Sequence, residues 1–246
     1  MLMKLKLWRR VGVATAAMVV AMAFLVTGCG SKPNASNGGS SSGANTDAAS
    51  TVKQAADAMR KVTGMHVSLT VQGAVPNLAV TKLDGDVSST PQTAATGTAT
   101  LIVGKDPVDS KFVFVDGHLY SDLAEAGKFT DYGNGASIYD VSTLLDPDRG
   151  LANVLSHLQN PKVSGTEQIN GIATTKITGT SSTDDVATLA GSRLSPKDAP
   201  PTPTTVWIAS DGSNHLVKIE IVPVENGTVT MTMSEWGKQV TATKPA

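Results

Sequence analysis

The sequence contains a single cysteine, Cys29, among 246 residues. One cysteine excludes an intramolecular disulfide and a metal site built from several thiolates. Aromatic residues are also few, at 4% of the chain, whereas threonine and valine are abundant. Because β-branched residues favour strands, the composition indicates a β-rich fold.

Charged residues make up only 17% of the chain, with a net charge of −1. Lys4, Lys6, Arg9 and Arg10 all lie in the first ten positions, and without them 16 basic side chains face 21 acidic ones, a net charge of −5. This balance disfavours nucleic acid as a partner, because binding to phosphates depends on lysine and arginine.

Long apolar runs are also missing, apart from residues 11–26. This run follows a basic start and is short for a membrane-spanning helix, which is the layout of a signal peptide. Residues 26–29 read Val-Thr-Gly-Cys and match the lipobox, where an aliphatic residue, a small residue and Gly or Ala precede the cysteine that is lipidated. We therefore predict that residues 1–28 are a lipoprotein signal peptide and that Cys29 carries a diacylglyceryl group.

The mature chain divides into two parts by composition. Residues 29–47 are rich in Gly and Ser and predict a flexible tether. Residues 48–246 predict one domain. A lipid on Cys29 predicts an exported protein anchored to the outer face of the cell membrane, with release into the envelope or the medium as alternatives.

The domain opens with helical spacing. The pattern predicts a helix over residues 48–63 with Asp47 as its N-cap. One face of this helix is apolar, formed by Val52, Ala55, Ala56, Met59 and Val62.

Alternating apolar and polar residues then predict a long antiparallel meander. Asp116-Gly117 between two such runs indicates a two-residue hairpin turn. The predicted strands cover residues 65–72, 78–88, 92–103, 111–115, 118–123 and 128–132.

Two helical segments interrupt the strands. The first is predicted to start with Asp146 as N-cap and Pro147 as its first residue, and to end at residues 160–161. The second has a capping box formed by Ser182 and Asp185.

Four further strand-like runs surround the second helical segment, at residues 166–179, 204–209, 215–222 and 228–236. The order of helix, meander, helices and second meander predicts an α+β fold, with the helices on one face of a curved antiparallel sheet.

Motifs for chemistry are missing as well. The four histidines are scattered without the HExxH spacing, and neither a G-x-S-x-G nucleophile motif nor a phosphate-binding loop occurs. We therefore expect no catalytic activity, no metal and no cofactor.

Six segments resemble the mycobacterial lipoprotein family that includes LppX, LprG, LprF and LprA. The similarity covers nearly all of residues 48–246. The segments are residues 57–66, 112–123, 132–139, 144–153, 205–212 and 234–237.

The resemblance implies a U-shaped half-barrel of antiparallel strands, with helices on its concave face enclosing an apolar cavity. It implies binding of acylated lipids or glycolipids in that cavity and their transport across the cell envelope. It also implies the membrane as a partner through Cys29, and a lipid exporter or a host innate receptor as a protein partner. Cys29 is the one functional residue that the resemblance carries over.

Apolar strand and helix faces supply the candidate cavity wall. A lipid cavity needs aliphatic walls because acyl chains form no hydrogen bonds. The same pattern fits a filled core, and periodicity does not distinguish the two. The candidates are Val67, Leu69, Val71, Leu101, Val103, Leu151, Val154, Leu155, Leu158, Val217, Ile219, Ile221, Val229, Met231 and Met233.

Three other functions remain open at this point. One is a solute-binding lipoprotein of a transporter, although that class is usually bilobed with βαβ units. A second is an envelope hydrolase, for which no nucleophile–base motif is found. The third is a spacer that displays its acylated terminus to innate receptors and needs no cavity.

Overall fold

The computed structural model of the protein describes residues 41–191 and 200–246, with side chains from residue 47 onward. The predicted signal peptide, Cys29 and residues 30–40 of the predicted tether lie outside the described residues.

Helix α1, Ser41–Met59, contains four of the five residues of the predicted apolar face, and Val62 follows the end of the helix; all five are buried. Its predicted bounds are wrong. The helix starts before Asp47, whose backbone carbonyl accepts a hydrogen bond from Oγ1 of Thr51, so Asp47 lies inside the helix and is not its N-cap. A single capping bond contributes only about 1 kcal/mol, and it competes with the backbone hydrogen bonds of additional turns.

The first meander follows the prediction closely. Asp116 and Gly117 have φ angles of 53° and 80°, which is the geometry of a type I′ hairpin, so the predicted turn is confirmed. The strands are β1 Gly64–Gln72, β2 Val80–Ser88, β3 Ala94–Val103, β4 Asp106–Val115, β5 His118–Ser121 and β6 Thr130–Asn134.

The first helical insert differs from its prediction. It consists of two short 3₁₀ helices, Gly135–Ser137 and Val141–Leu145, followed by α2, Leu151–Ser156. Oδ1 of Asp146 accepts the backbone N–H groups of residues 148 and 149, at 2.9 and 3.0 Å, and so holds the turn before α2 rather than capping it. Aspartate makes such turns with the same chemistry that it uses in N-caps, and the sequence does not separate the two.

The predicted end of this insert is also wrong, since residues 160–161 belong to strand β7, Gln159–Ile169. Asn160 has a φ angle of 51° at a register shift between β7 and β8, Ile172–Ser181. Asn170 and Gly171 have φ angles of 50° and 81° and connect the two strands. The run predicted as one strand over residues 166–179 is therefore a hairpin, and its Asn-Gly turn was the available signal.

The second helical segment is α3, Thr183–Leu189. Oγ of Ser182 accepts the backbone N–H of Asp185 at 3.1 Å, which confirms the predicted N-cap. The last three predicted strands are confirmed as β9 Thr202–Ala209, β10 Leu216–Val224 and β11 Gly227–Ser234.

All strands form one antiparallel sheet of 11 strands in the order β6-β5-β4-β3-β2-β1-β11-β10-β9-β8-β7. The pairing of β1 with β11 joins the two meanders, and β6 and β7 are the free edges. The sheet is therefore open, as a half-barrel requires, and the predicted α+β antiparallel fold is confirmed.

The two faces of the sheet have different covers. On the face that we call the inner face, one apolar core joins strand residues to α1, α2 and α3. On the opposite, outer face, Val240 and Ala242 of the C-terminal tail, residues 237–246, pack with Ala94, Val115 and Tyr120. The backbone N–H of Val240 donates to Oγ of Ser88 at 3.2 Å and fixes the tail. The sequence analysis did not predict this second core.

Candidate functional site

The inner face is the region that the candidate wall residues were predicted to form. Most of them meet in the main core there, because alternate residues of β1, β10 and β11 point to this face and α2 lies over it. The buried members are Val67, Leu151, Val154, Leu155, Leu158, Ile219, Ile221, Val229, Met231 and Met233.

Two of the wall predictions are wrong. Val217 lies at a register shift between β10 and β9, and Leu216 replaces it in the main core. A bulge turns the following side chains to the other face, which alternation alone does not reveal. Val103 is 50% exposed at the end of β3, beyond the reach of the helices.

A half-buried patch borders the main core toward β4. We use this name for Leu69 and Val71 of β1, Leu78 of the following loop, and Phe112 of β4, which contact the core but remain partly exposed. Leu101 of β3 is likewise partly exposed. Of the predicted wall residues, Leu69, Val71 and Leu101 are the ones that an incoming apolar ligand can reach without unpacking the core.

Phe112 in this patch was missed by the sequence analysis. Its ring lies against the backbone of two glycines on neighbouring strands. A Cβ atom at Gly97 would stand 3.0 Å from Cε1 of Phe112, and one at Gly85 would stand 3.2 Å from Cζ. Glycine inside a strand often marks such a close approach, so Gly85 and Gly97 were the available signal.

A groove of about 440 Å³ runs between α1, α2 and the start of β7. Its apolar floor includes Val52, Ala56, Leu155 and Leu158. Its rim is charged: Asp57 accepts hydrogen bonds from Lys53 and Arg60, and Arg60 also donates to Oγ of Ser156 at 2.7 Å. The rim therefore bridges α1 and α2 across the groove.

A second groove, of about 330 Å³, lies beside the last turn of α1. His215 stacks on Trp236 there, with ring centroids 4.6 Å apart. Nε1 of Trp236 is buried and meets no acceptor within the described part of the chain. Burial lowers the pKa of His215, and Asp211 opposes this shift. Neither groove is lined by any of the strand residues that were predicted to form the cavity wall.

The outer face carries the other buried indole. Nε1 of Trp207 donates to Glu167 at 2.7 Å, and the ammonium groups of Lys176 and Lys218 lie 5.0 and 4.1 Å from the ring centroid. Lysine stems and cation–π contacts thus cover a ring that is 2% exposed.

One cluster contains the residue types of a hydrolase. Both Ser182 and His157 contact the carboxylate of Asp185, at 2.5 and 3.1 Å. A nucleophile needs a direct bond to its base, whereas here the carboxylate of Asp185 binds both side chains and Ser182 serves as the N-cap of α3. Within residues 41–191 and 200–246, no cluster of His, Cys, Asp or Glu is suited to hold a metal ion. The same residues include no helix that is both long and apolar enough to cross a bilayer.

A comparison of the sequence with protein-family models identifies the family that has this fold. The model described as LppX_LprAFG lipoprotein matches residues 47–242, which is nearly all of the described domain. The chain belongs to the LppX_LprAFG lipoprotein family. The resemblance seen in the sequence is thereby confirmed.

Relatives within this family align over almost the whole chain. Lipoprotein LprA of Mycobacterium tuberculosis is 60% identical over 95% of this chain and 96% of its own length. A protein of Mycolicibacterium smegmatis named lipoarabinomannan carrier protein LprG is 40% identical over 94% of each chain.

Solved structures of the LppX_LprAFG family share the fold. LprF from Mycobacterium bovis matches with a TM-score of 0.73 and 28% identity, covering 82% of this chain and 98% of that one. LppX from M. tuberculosis matches with a TM-score of 0.61 and 29% identity, covering 80% and 98%. Family membership therefore extends to the three-dimensional arrangement of the sheet and helices.

Proposed function

We propose that this chain is an exported, membrane-anchored lipoprotein that binds acylated lipids or glycolipids at its inner face and carries them across the cell envelope without catalysis. The half-buried patch is the observation that carries the proposal, because it exposes aliphatic and aromatic side chains that continue directly into the main core. Two relatives at 40% identity bear the name lipoarabinomannan carrier protein, which supports a glycolipid as ligand.

The main core also defines what binding requires. Its residues are 8% exposed or less, so a long acyl chain cannot enter without displacing side chains. Interiors packed at this density do not leave room for a tail. We infer that α1 and α2 move away from the sheet when a lipid enters, and that the tail takes their place against β1, β10 and β11.

Energy favours such an exchange. A tail of about 15 methylene groups gains roughly 0.8 kcal/mol per group on leaving water. The contacts that α1 and α2 lose are apolar contacts of the same kind, and the lipid replaces them. The methionines Met231 and Met233 suit this role, since their side chains adapt to variable neighbours.

Anchoring belongs to the proposal as well. Cys29 would carry the diacylglyceryl group after removal of residues 1–28, with the membrane as partner and an exporter or a host receptor downstream. Replacement of Cys29 by Ser is expected to release the protein from the membrane fraction and to abolish incorporation of a clickable palmitate analogue in a mycobacterial host. Unchanged labelling and fractionation of the Cys29→Ser variant would contradict the anchoring.

The carrier role is tested by native mass spectrometry of the full chain purified gently from the same host. We expect co-purified diacyl or triacyl lipid. The Val71→Trp variant should lose that lipid, because the larger ring fills the half-buried patch, while its unfolding midpoint stays within a few degrees of the wild type. Thr70→Trp is the matched control, since Thr70 is exposed on the other face of the same strand. Equal lipid content in the two variants would show that the half-buried patch does not take part in lipid binding.

The filled core favours one second candidate, the inert spacer. A domain that only displays an acylated terminus to an innate receptor needs no opening between sheet and helices. If the protein purifies without lipid and does not bind lipid added in detergent, the result would support the spacer function and contradict the carrier function.

A further inference from the structure

Two adjacent aliphatic side chains at the end of β3 are exposed to solvent. Ile102 is 38% exposed and Val103 is 50% exposed, and neither belongs to the cores of the inner or outer face. Because side chains alternate along a strand, the two point to opposite faces of the sheet. At this end of β3, therefore, neither the helices on the inner face nor the C-terminal tail on the outer face covers the sheet. With Gly104 and Lys105, which turn the chain into β4, they form what we call the β3–β4 tip.

The β3–β4 tip adjoins the half-buried patch. The backbone N–H of Ile102 donates to the carbonyl of Ala79 at 2.8 Å, which ties the tip to the loop that contains Leu78. Strands β1 and β3 both pair antiparallel with β2, so they end at the same side of the sheet. Val71 near the end of β1 and Ile102 near the end of β3 therefore mark one end of the domain.

The charges around the tip suit a lipid interface. Within the described part of the chain, Lys105 takes part in no ion pair, and its long stem allows the ammonium group to reach the phosphate level while the aliphatic residues enter the bilayer. Asp106 follows Lys105 directly in the sequence, and the carboxylate of Asp109 accepts a hydrogen bond from Oγ1 of Thr100 at 2.6 Å.

We propose that the β3–β4 tip inserts into the interfacial layer of a lipid bilayer and thereby brings the half-buried patch to the membrane surface. The inference rests on the carrier function and names the surface from which the carrier is loaded. Residues 30–40, fully extended, span at most about 40 Å. A lipidated Cys29 would therefore hold the domain close to the bilayer, which argues for a membrane as the partner of the tip.

The single natural cysteine makes a direct test possible. In the full lipidated chain, Cys29 is blocked, so Val103→Cys provides one site for an environment-sensitive fluorophore. Val163→Cys is the matched control, because Val163 is 40% exposed on β7 at the far edge of the sheet. Both labelled proteins are reconstituted into vesicles of phosphatidylethanolamine and phosphatidylglycerol in equal parts, with and without a spin-labelled quencher lipid.

The label at position 103 is expected to shift to the blue and to be quenched by the spin-labelled lipid, and the label at position 163 to remain as in water. A water-like signal at position 103 overturns the proposal. So does a blue-shifted signal at position 103 of the Cys29→Ser form in detergent-free buffer without vesicles, which would mean that a second copy covers the tip. If Cys29 proves to carry no lipid, the Cys29→Ser forms are mixed with the same vesicles and the readout is unchanged.

A second measurement separates docking from ligand binding. The Ile102→Ser/Val103→Ser double variant should transfer a fluorescent diacyl lipid between vesicles roughly tenfold more slowly or worse, because two aliphatic side chains no longer leave water at the membrane. Its binding of the same lipid presented in detergent should equal that of the wild type. Equal transfer rates contradict docking. Failure of both proteins to bind the lipid in detergent contradicts the carrier function, while the fluorophore result still decides docking.

Discussion

Burial lowers the pKa of His215, and the shift favours its neutral form. A histidine with a folded-state pKa below its unfolded value of about 6.5 stabilises the fold above that pH, and the contribution is lost as pH falls. The ring of Trp236 stacks on the imidazole of His215 and shields it from water. Because the charged imidazolium would lose solvation there, the neutral form is favoured.

Replacement of His215 by Phe should keep the stacking and remove the titration. Between about pH 7.5 and about pH 5, the wild type should lose more free energy of unfolding than the variant, as measured by urea denaturation. The other histidines are the same in both proteins, so the difference between the two pH profiles isolates His215. Parallel pH profiles would show that the stack does not perturb this group.

Single residues also explain where sequence-based prediction fails. Three residues, Asp47, Asp146 and Ser182, were expected to cap helices. Of these three, only Ser182 does so. Each of these side chains can satisfy a nearby backbone N–H in several conformations, and tertiary packing selects among them. The identity of the capping residue is therefore less informative than the apolar face that follows it.

At the scale of the element, α3 depends on its cap. The helix has 7 residues, too few for intrinsic stability, and Ser182 satisfies one of its free N–H groups. Replacement of Ser182 by Ala should lower the free energy of unfolding by about 1 kcal/mol. Thr188→Ala is the control, because Thr188 is exposed on the same helix and should change stability by less than about 0.5 kcal/mol. An equal loss of unfolding free energy in the two variants would show that the Ser182 cap does not stabilise α3.

Elements were predictable where periodicity was strong. The strands of the first meander, the strands β9 to β11 and the apolar face of α1 follow from alternation and helical spacing, and the Asp116-Gly117 turn follows from its dipeptide. The bulge near Val217 was not predictable, because it depends on how β9 meets β10. The half-buried patch was predictable only in part: Leu69 and Val71 followed from alternation, whereas Phe112 required the knowledge that its ring covers two glycines.

At the scale of the whole molecule, the sheet separates two apolar regions. The main core lies on the inner face and the C-terminal tail builds the smaller core on the outer face. We therefore expect that stability can be lowered at the outer face without a change in the lipid binding proposed for the inner face.

Replacement of Val240 by Asp tests this separation. Val240 is 6% exposed, so a carboxylate there would be buried without a partner and should lower the free energy of unfolding by at least about 2 kcal/mol. Lipid content in native mass spectra should stay unchanged at a temperature where the variant is folded. Thr241→Asp, at the adjacent exposed position, should leave both properties as in the wild type. Lipid loss in Val240→Asp alone would show that the two faces are coupled.

The pairing of β1 with β11 has a consequence for biogenesis. The first and last strands of the domain are neighbours at the centre of the sheet, so its middle cannot close until the last residues have emerged. Contacts between such distant positions form slowly. The proposed export through a translocation channel would benefit from this delay, because the nascent polypeptide would not reach its final topology before it has crossed the membrane.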